Sequence, residues 1–235
     1  MNMVVLIVLS GVIISICMGL RQSLGLFMQP MGVDLGISAA AFGFSIALQN
    51  IVWGASQPFV GALADRYGPR PILVGTALMY AAGLLLMIVS RAFPGALEIA
   101  GFLVGIGAAG TGFGVLMGTI SRATPPEKRS QTVGLVAACG SIGTFVIAPL
   151  GGWLIDGFGW RTAMVVFAAI AASMALLSLP IREAAAGVLE KKQNLAEAVR
   201  EAVGHRGYLF MTLAFFACGF QLVFITTHLP AYLAI

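Results

Sequence analysis

Seven long apolar runs, at about residues 3–29, 39–63, 71–90, 95–120, 131–155, 162–181 and 207–230, limit what this chain can fold into. A bilayer core about 30 Å thick is crossed by about 20 apolar residues of α-helix. Each run reaches that length, and the breaks between runs hold nearly all the charge. Turn-forming stretches such as "RYGPRP", "RATPPEKRS" and "DGFGWR" mark those breaks. No stretch alternates apolar and polar residues over about ten positions, so a membrane β-barrel is excluded. Composition agrees: hydrophobic residues make up 59% and charged residues 9%, against about 25% charged in soluble domains. With a mean hydropathy of +0.98 there is too little polar surface to cover a water-solvated globule. The reading is an all-α, multi-pass membrane protein whose first partner is the lipid bilayer.

Orientation follows from the cations. With the N-terminus in the cytoplasm, the inner loops hold Arg66, Arg70, Arg122, Lys128, Arg129, Arg182, Lys191, Lys192, Arg200 and Arg206, ten of the thirteen Lys and Arg. Only Arg21, Arg91 and Arg161 fall toward the outside. The net charge of +4 is thus explained by topology, and its dispersal over short loops argues against nucleic-acid binding. The first span follows only "MN", without a basic leader region, and is expected to remain in the membrane. Cys17, Cys139 and Cys218 fall in different spans and read as small apolar side chains. No nucleophilic triad, metal cluster or phosphate loop is present, so neither an enzyme nor a cofactor nor a metal is implied.

Two charged decapeptides recur ninety-one positions apart, "GALADRYGPR" at 61–70 and "GWLIDGFGWR" at 152–161. Gly61, Leu63, Asp65, Tyr67, Gly68 and Arg70 align with Gly152, Leu154, Asp156, Phe158, Gly159 and Arg161, and Pro58 aligns with Pro149. The first copy ends the second span and the second ends the fifth, on opposite faces of the membrane. Spans 1–3 and 4–6 therefore read as an inverted-topology repeat, an arrangement found in secondary transporters. In such a motif the glycines would let the chain turn and neighbouring helices approach closely. Asp65, at the membrane boundary, can cap a facing helix or pair with Arg70.

The stretch "GALADRYGPRPIL" resembles the loop 2–3 signature of the major facilitator superfamily, which Gly61, Leu63, Asp65, Arg66, Gly68, Arg70 and Leu73 match. The resemblance implies a six-helix bundle of two inverted three-helix repeats, followed by a linker and the start of a second half. It also implies that this loop gates alternating access, with Asp65 and Arg66 as the residues to test. "GLRQSLGLF" and "IAPLGGWLIDGFGWR" resemble the monocarboxylate porter group and its oxalate–formate antiporter-like members, placing Arg21 and Arg161 on that group's basic positions. The division expected is a bundle at 1–181, an amphipathic cytoplasmic linker at 182–206, and a seventh span at 207–235. Transporters of this family have two six-helix halves, so the chain is expected to be truncated, its cavity completed by a missing C-terminal half or a second copy.

Candidate substrate contacts follow from polar residues inside the spans. Arg21 is a cation either deep in a long first helix or snorkelling outward, two positions that the sequence leaves equally open; the porter resemblance favours an anion-binding role. Asn50, Trp53 and Gln57 share one helical face beside Gln49. Thr111 offers a hydroxyl within a glycine-rich fourth span, and Gln221 is expected to face the interior from the seventh. Asp34, Asp65, Glu98, Glu127 and Asp156 all fall at span ends. The absence of a central carboxylate fits a substrate that supplies its own charge, carried with or without a proton. The expected function is secondary active transport of a small organic anion across the inner membrane. The alternatives are a seven-helix receptor or a structural membrane subunit. A light receptor would need a lysine in its last helix, whereas Lys128, Lys191 and Lys192 are all in loops.

Overall fold

The structure, a computed structural model, describes residues 2–90, 93–181 and 195–233. Arg91 and the first part of the expected linker, with Arg182, Lys191 and Lys192, lie outside the described residues.

The first span runs from Met3 to Leu35 as α1 (Met3–Ser23), a four-residue 3₁₀ segment (Leu24–Phe27) and α2 (Met28–Leu35). Asn2 caps its start through a side-chain bond to the Val4 amide, and Gly36, at φ 66°, ends it. The second span is α3 (Ala39–Tyr67), capped by the Ser38 hydroxyl at the Ala41 amide, and the third is α4 (Pro69–Ile88). Gly112 breaks the fourth into α5 (Ala96–Thr111) and α6 (Phe113–Ala123). Then follow α7 (Pro126–Phe158), α8 (Trp160–Ser178), the short α9 (Leu195–Gly204) and α10 (Arg206–Leu233). The chain is a multi-pass, all-helical membrane protein.

Among the described residues, six of the seven long helical stretches are apolar enough, by length and composition, to cross a membrane. The remaining one, α3, has the length, but Gln49, Asn50 and Gln57 lower its hydropathy. A helix this polar is stable in a bilayer only when its polar face meets protein or a cavity.

Packing is exchanged between the two repeats. The first helix of each lies along the middle helix of the other, α1 against α7 and α5 against α3, while the third helices α4 and α8 pack together. Along the α1–α7 seam the backbones nearly touch. A Cβ placed on Gly143 would overlap the Ser15 carbonyl oxygen, and the Ser15 hydroxyl donates to the Cys139 carbonyl at 2.5 Å. Without a hydrophobic drive inside lipid, such close approach is what holds helices together. Ile14 of α1 packs on Gly140 in this seam, while Cys17, on another face of α1, meets Ala108 of α5 and Tyr80 of α4; Ile13, Leu20, Leu84 and Phe167 are also fully buried. Of the other two cysteines, Cys139 is half-buried and Cys218 is exposed on α10.

The repeated decapeptides adopt one backbone. α3 and α7 each contain an internal proline, Pro58 and Pro149, and each ends on a glycine of nearly identical conformation. Gly68 has φ 87° and ψ 156°, Gly159 φ 81° and ψ 158°. That region is open essentially to glycine alone. Gly61 and Gly152 do something other than expected: nothing lies within 4 Å of a Cβ built on either, so neither supports close helix contact within this chain.

By contrast, α10 stands almost free. It touches the bundle along the 3₁₀ segment, where Thr226 meets Gly25 backbone to backbone, and Thr227 is buried there.

Candidate functional site

Arg21 lies one turn before the 3₁₀ segment. It is about 27 Å of helix from Met3 and about 21 Å from Leu35, which places it in the middle of the span. The helix continues past it, so Arg21 does not stand at the end of the span. Its guanidinium is held on two sides. Nη1 donates to Asn50 Oδ1 at 2.7 Å, and Cζ sits 4.3 Å from the centre of the Trp53 ring. Asn50 is itself fixed, its Nδ2 donating to the Ile46 carbonyl at 2.7 Å. Of the expected face of α3, Asn50 and Trp53 lie against the guanidinium.

What remains unused is more informative. Arg21 Nε, both amide atoms of Gln49 and the indole N–H of Trp53 are buried without a hydrogen-bond partner. Each such group costs about 1–3 kcal/mol while unsatisfied. Among the described residues no carboxylate pairs with Arg21. The result is a mid-span cation beside donors and one carbonyl that have no partner in the protein, which suits a ligand bearing negative oxygen. No cluster of metal-ligating side chains occurs among the described residues.

Arg21, Gln49 and Asn50 line a narrow recess with Gln22, Thr226 and Thr227, at the junction of α1, α3 and α10. Its free space, about 10 Å³, holds roughly one water-sized group. The 3₁₀ segment of the first span and the Gly112 break of the fourth occur near corresponding positions of the two repeats. Broken helices placed this way mark binding sites in repeat-built transporters.

Two sequence candidates take other positions. Thr111 is fully buried near Cys17 of α1, and its hydroxyl donates to the Gly107 carbonyl of its own helix at 2.8 Å. Gln221 is exposed, because α10 turns Val223, Thr226 and Thr227 toward the recess and leaves position 221 on the far side. Sequence reasoning missed Gln22, Thr226 and Thr227. Gln22 stood beside Arg21 in "GLRQSLGLF", whereas nothing in the sequence says which face of α10 turns inward.

At one membrane face Asp65 pairs with Arg122 at the end of α6, at 2.9 Å. Pairing with Arg70 is one of the two roles that the sequence leaves open to Asp65, the other being a helix cap; Arg70 is exposed and lies beyond the Gly68 turn, and the ion pair is made with Arg122. Arg66 stacks 5.3 Å from the Tyr67 ring. At the other face the charges are reversed: Arg161 pairs with Asp34 at the end of α2, at 2.7 Å, and Trp160 Nε1 donates to the same carboxylate oxygen at 2.9 Å. Asp156 is exposed and makes no ion pair among the described residues.

A bundle of inverted three-helix repeats around a mid-membrane cation defines a secondary-transporter fold. The profile of the Major Facilitator Superfamily matches residues 7–235, and the chain belongs to that family. It is 30% identical over 152 residues to monocarboxylate transporter 11 of Mus musculus, covering 65% of this chain and 34% of that protein. It is 32% identical over 145 residues to the oxalate:formate antiporter of Oxalobacter formigenes, covering 61% and 34%. A third relative, the multidrug resistance protein MdtH of Yersinia enterocolitica, is 30% identical over 172 residues, covering 72% and 42%. Among solved structures, the xylose transporter XylE from E. coli, in an inward open conformation, superposes with a TM-score of 0.62 at 14% identity, covering 97% of this chain and 56% of XylE. The chain thus spans between a third and about half of the length of these proteins.

Proposed function

We propose that the chain forms part of a secondary active transporter that moves small organic anions by alternating access, with Arg21 as the anion-binding cation. One observation carries this reading: Arg21 lies mid-span, oriented by Asn50 and Trp53, with its Nε and the Gln49 amide left without partners. The names of the monocarboxylate and oxalate:formate relatives support the anion class. Trp53 and Gln49 belong to this site, and Thr111 and Gln221 act outside it. A proton travelling with the anion is compatible with the lack of a central carboxylate.

Residues 1–181 act as the N-terminal bundle, 182–206 as the cytoplasmic linker and 207–235 as the first helix of a second half. The free faces of α7 and α10 meet the part of the transporter that these residues do not include, or a second copy. The N-terminus and the Asp65 face lie in the cytoplasm, in the inner membrane, as the distribution of Lys and Arg requires. Gly61, Asp65, Arg66, Gly68 and Arg70 form the gate there, with Gly152, Asp156, Gly159 and Arg161 as its counterpart outside.

The test is uptake of radiolabelled lactate and oxalate by membranes carrying the full-length transporter. Arg21→Gln should abolish saturable uptake, and Arg21→Lys should restore part of it. Uptake by Arg21→Gln equal to that of the parent would remove Arg21 from the mechanism.

A further inference from the structure

Beside the Arg21 recess lies a second, much larger space. A cleft of about 490 Å³ opens between α1, α6, α7 and α10, lined by Met18, Phe113, Ala137, Ser141, Thr144 and Phe145. Its walls are mainly apolar, with the Ser141 and Thr144 hydroxyls at one side. Gln22 and Leu222 line both spaces and form the threshold between them. The two differ in what they can hold. The recess admits roughly one water-sized group, too little for even a small carboxylic acid as a whole. The cleft, open on one side, has room for an apolar group of several carbons.

Resting on the anion-transport reading above, we propose that the substrate is an amphipathic carboxylate whose charged oxygen enters the Arg21 recess and whose apolar body lies in the cleft beyond Gln22. Each part of such a ligand meets matching chemistry. The carboxylate finds Arg21 Nε and the Gln49 amide, all buried without partners. The body, an aryl or branched alkyl group, covers Met18, Phe113 and Phe145, which a two- or three-carbon anion leaves untouched. Gln22 stands where the carboxylate joins the body, and its amide limits which groups pass. The substrate class is therefore single carboxylates bearing a bulky apolar group, rather than short hydrophilic acids.

The experiment uses the full chain in its native membrane vesicles and reads ligand-dependent protection against heat denaturation, since a ligand that binds the folded state raises its stability. The probes are 4-phenylbutyrate and lactate. Protection by 4-phenylbutyrate is expected at concentrations on the order of tenfold lower than by lactate. Ala137→Phe and Ser141→Phe, which fill the cleft from its open side, should weaken 4-phenylbutyrate on the order of tenfold and leave lactate unchanged. Retained lactate protection shows that each variant is folded, and either variant alone suffices. Arg21→Gln should remove both responses. If lactate protects in an Arg21-dependent way while 4-phenylbutyrate binds no better, or ignores both fillings, the cleft assignment is wrong and the anion reading stands. If neither probe protects, or Arg21→Gln changes nothing, the anion reading fails and the cleft assignment falls with it.

Discussion

The two membrane faces of the bundle are built from the same ten-residue pattern and secured by opposite means. At the Asp65 face the motif supplies the acid and the end of α6 supplies the base, Arg122. At the Asp34 face the motif supplies the base, Arg161, and the end of α2 supplies the acid. The backbones match within a few degrees at Gly68 and Gly159. What the repeat preserves is therefore a glycine turn plus one ion pair from that turn to the first span of the opposite repeat. Which partner carries which sign is free to differ. The faces also differ in number of contacts, since Trp160 adds a hydrogen bond to Asp34 that Asp65 lacks.

The glycine turns should be the most sensitive points. Gly68→Ala and Gly159→Ala each force a side chain into a conformation that costs about 1–3 kcal/mol. Thermal unfolding in detergent should show similar losses at both, and a markedly milder loss at one would break the equivalence of the two turns. Next comes Asp34→Ala, which removes two partners from one carboxylate. A loss of about 1–2 kcal/mol is expected, and the charge swap Asp34→Arg with Arg161→Asp should recover the ion-pair share in a double-mutant cycle. Trp160→Phe deletes the indole N–H together with part of the buried ring, and the hydrogen-bond share of the loss is about 0.5–1.5 kcal/mol. It should reduce the Asp34 face to the level of the Asp65 face. The smallest change in stability is expected for Asp65→Asn, about 0–1 kcal/mol, because both partners are half exposed. Its effect should instead appear in turnover, slowed while the half-saturating substrate concentration stays the same; a shifted affinity with normal turnover would move Asp65 out of the gate.

Much of this architecture was legible from the sequence because lipid and backbone sterics leave few choices. Apolar run length fixes the spans, and a conformation open only to glycine leaves its residue visible at both Gly68 and Gly159. Arg21 was visible as a charge inside a span. Its place at mid-span became visible only with the helix continuing to Leu35. The partners of charged groups were harder to see. Arg122 lies fifty-seven residues from Asp65, and the nearer Arg70 looked adequate until the turn carried it away. Thr111 lies outside the recess, and a helical threonine can satisfy its hydroxyl on its own preceding turn. Gln221 faces away because the inward face of α10 is chosen by contacts with the 3₁₀ segment, and a helix that is apolar all round carries no record of that choice in its own sequence.

The exchanged packing of α1 with α7 and of α5 with α3 also bears on assembly. A lone three-helix unit would leave its first helix with no long seam to its own neighbours, since that seam is made across the repeat boundary. Such a unit could be stable only as a pair with a copy inserted upside down. Expressed separately, spans 1–3 and spans 4–6 should each be poorly held, yet recombine when both are present in one membrane.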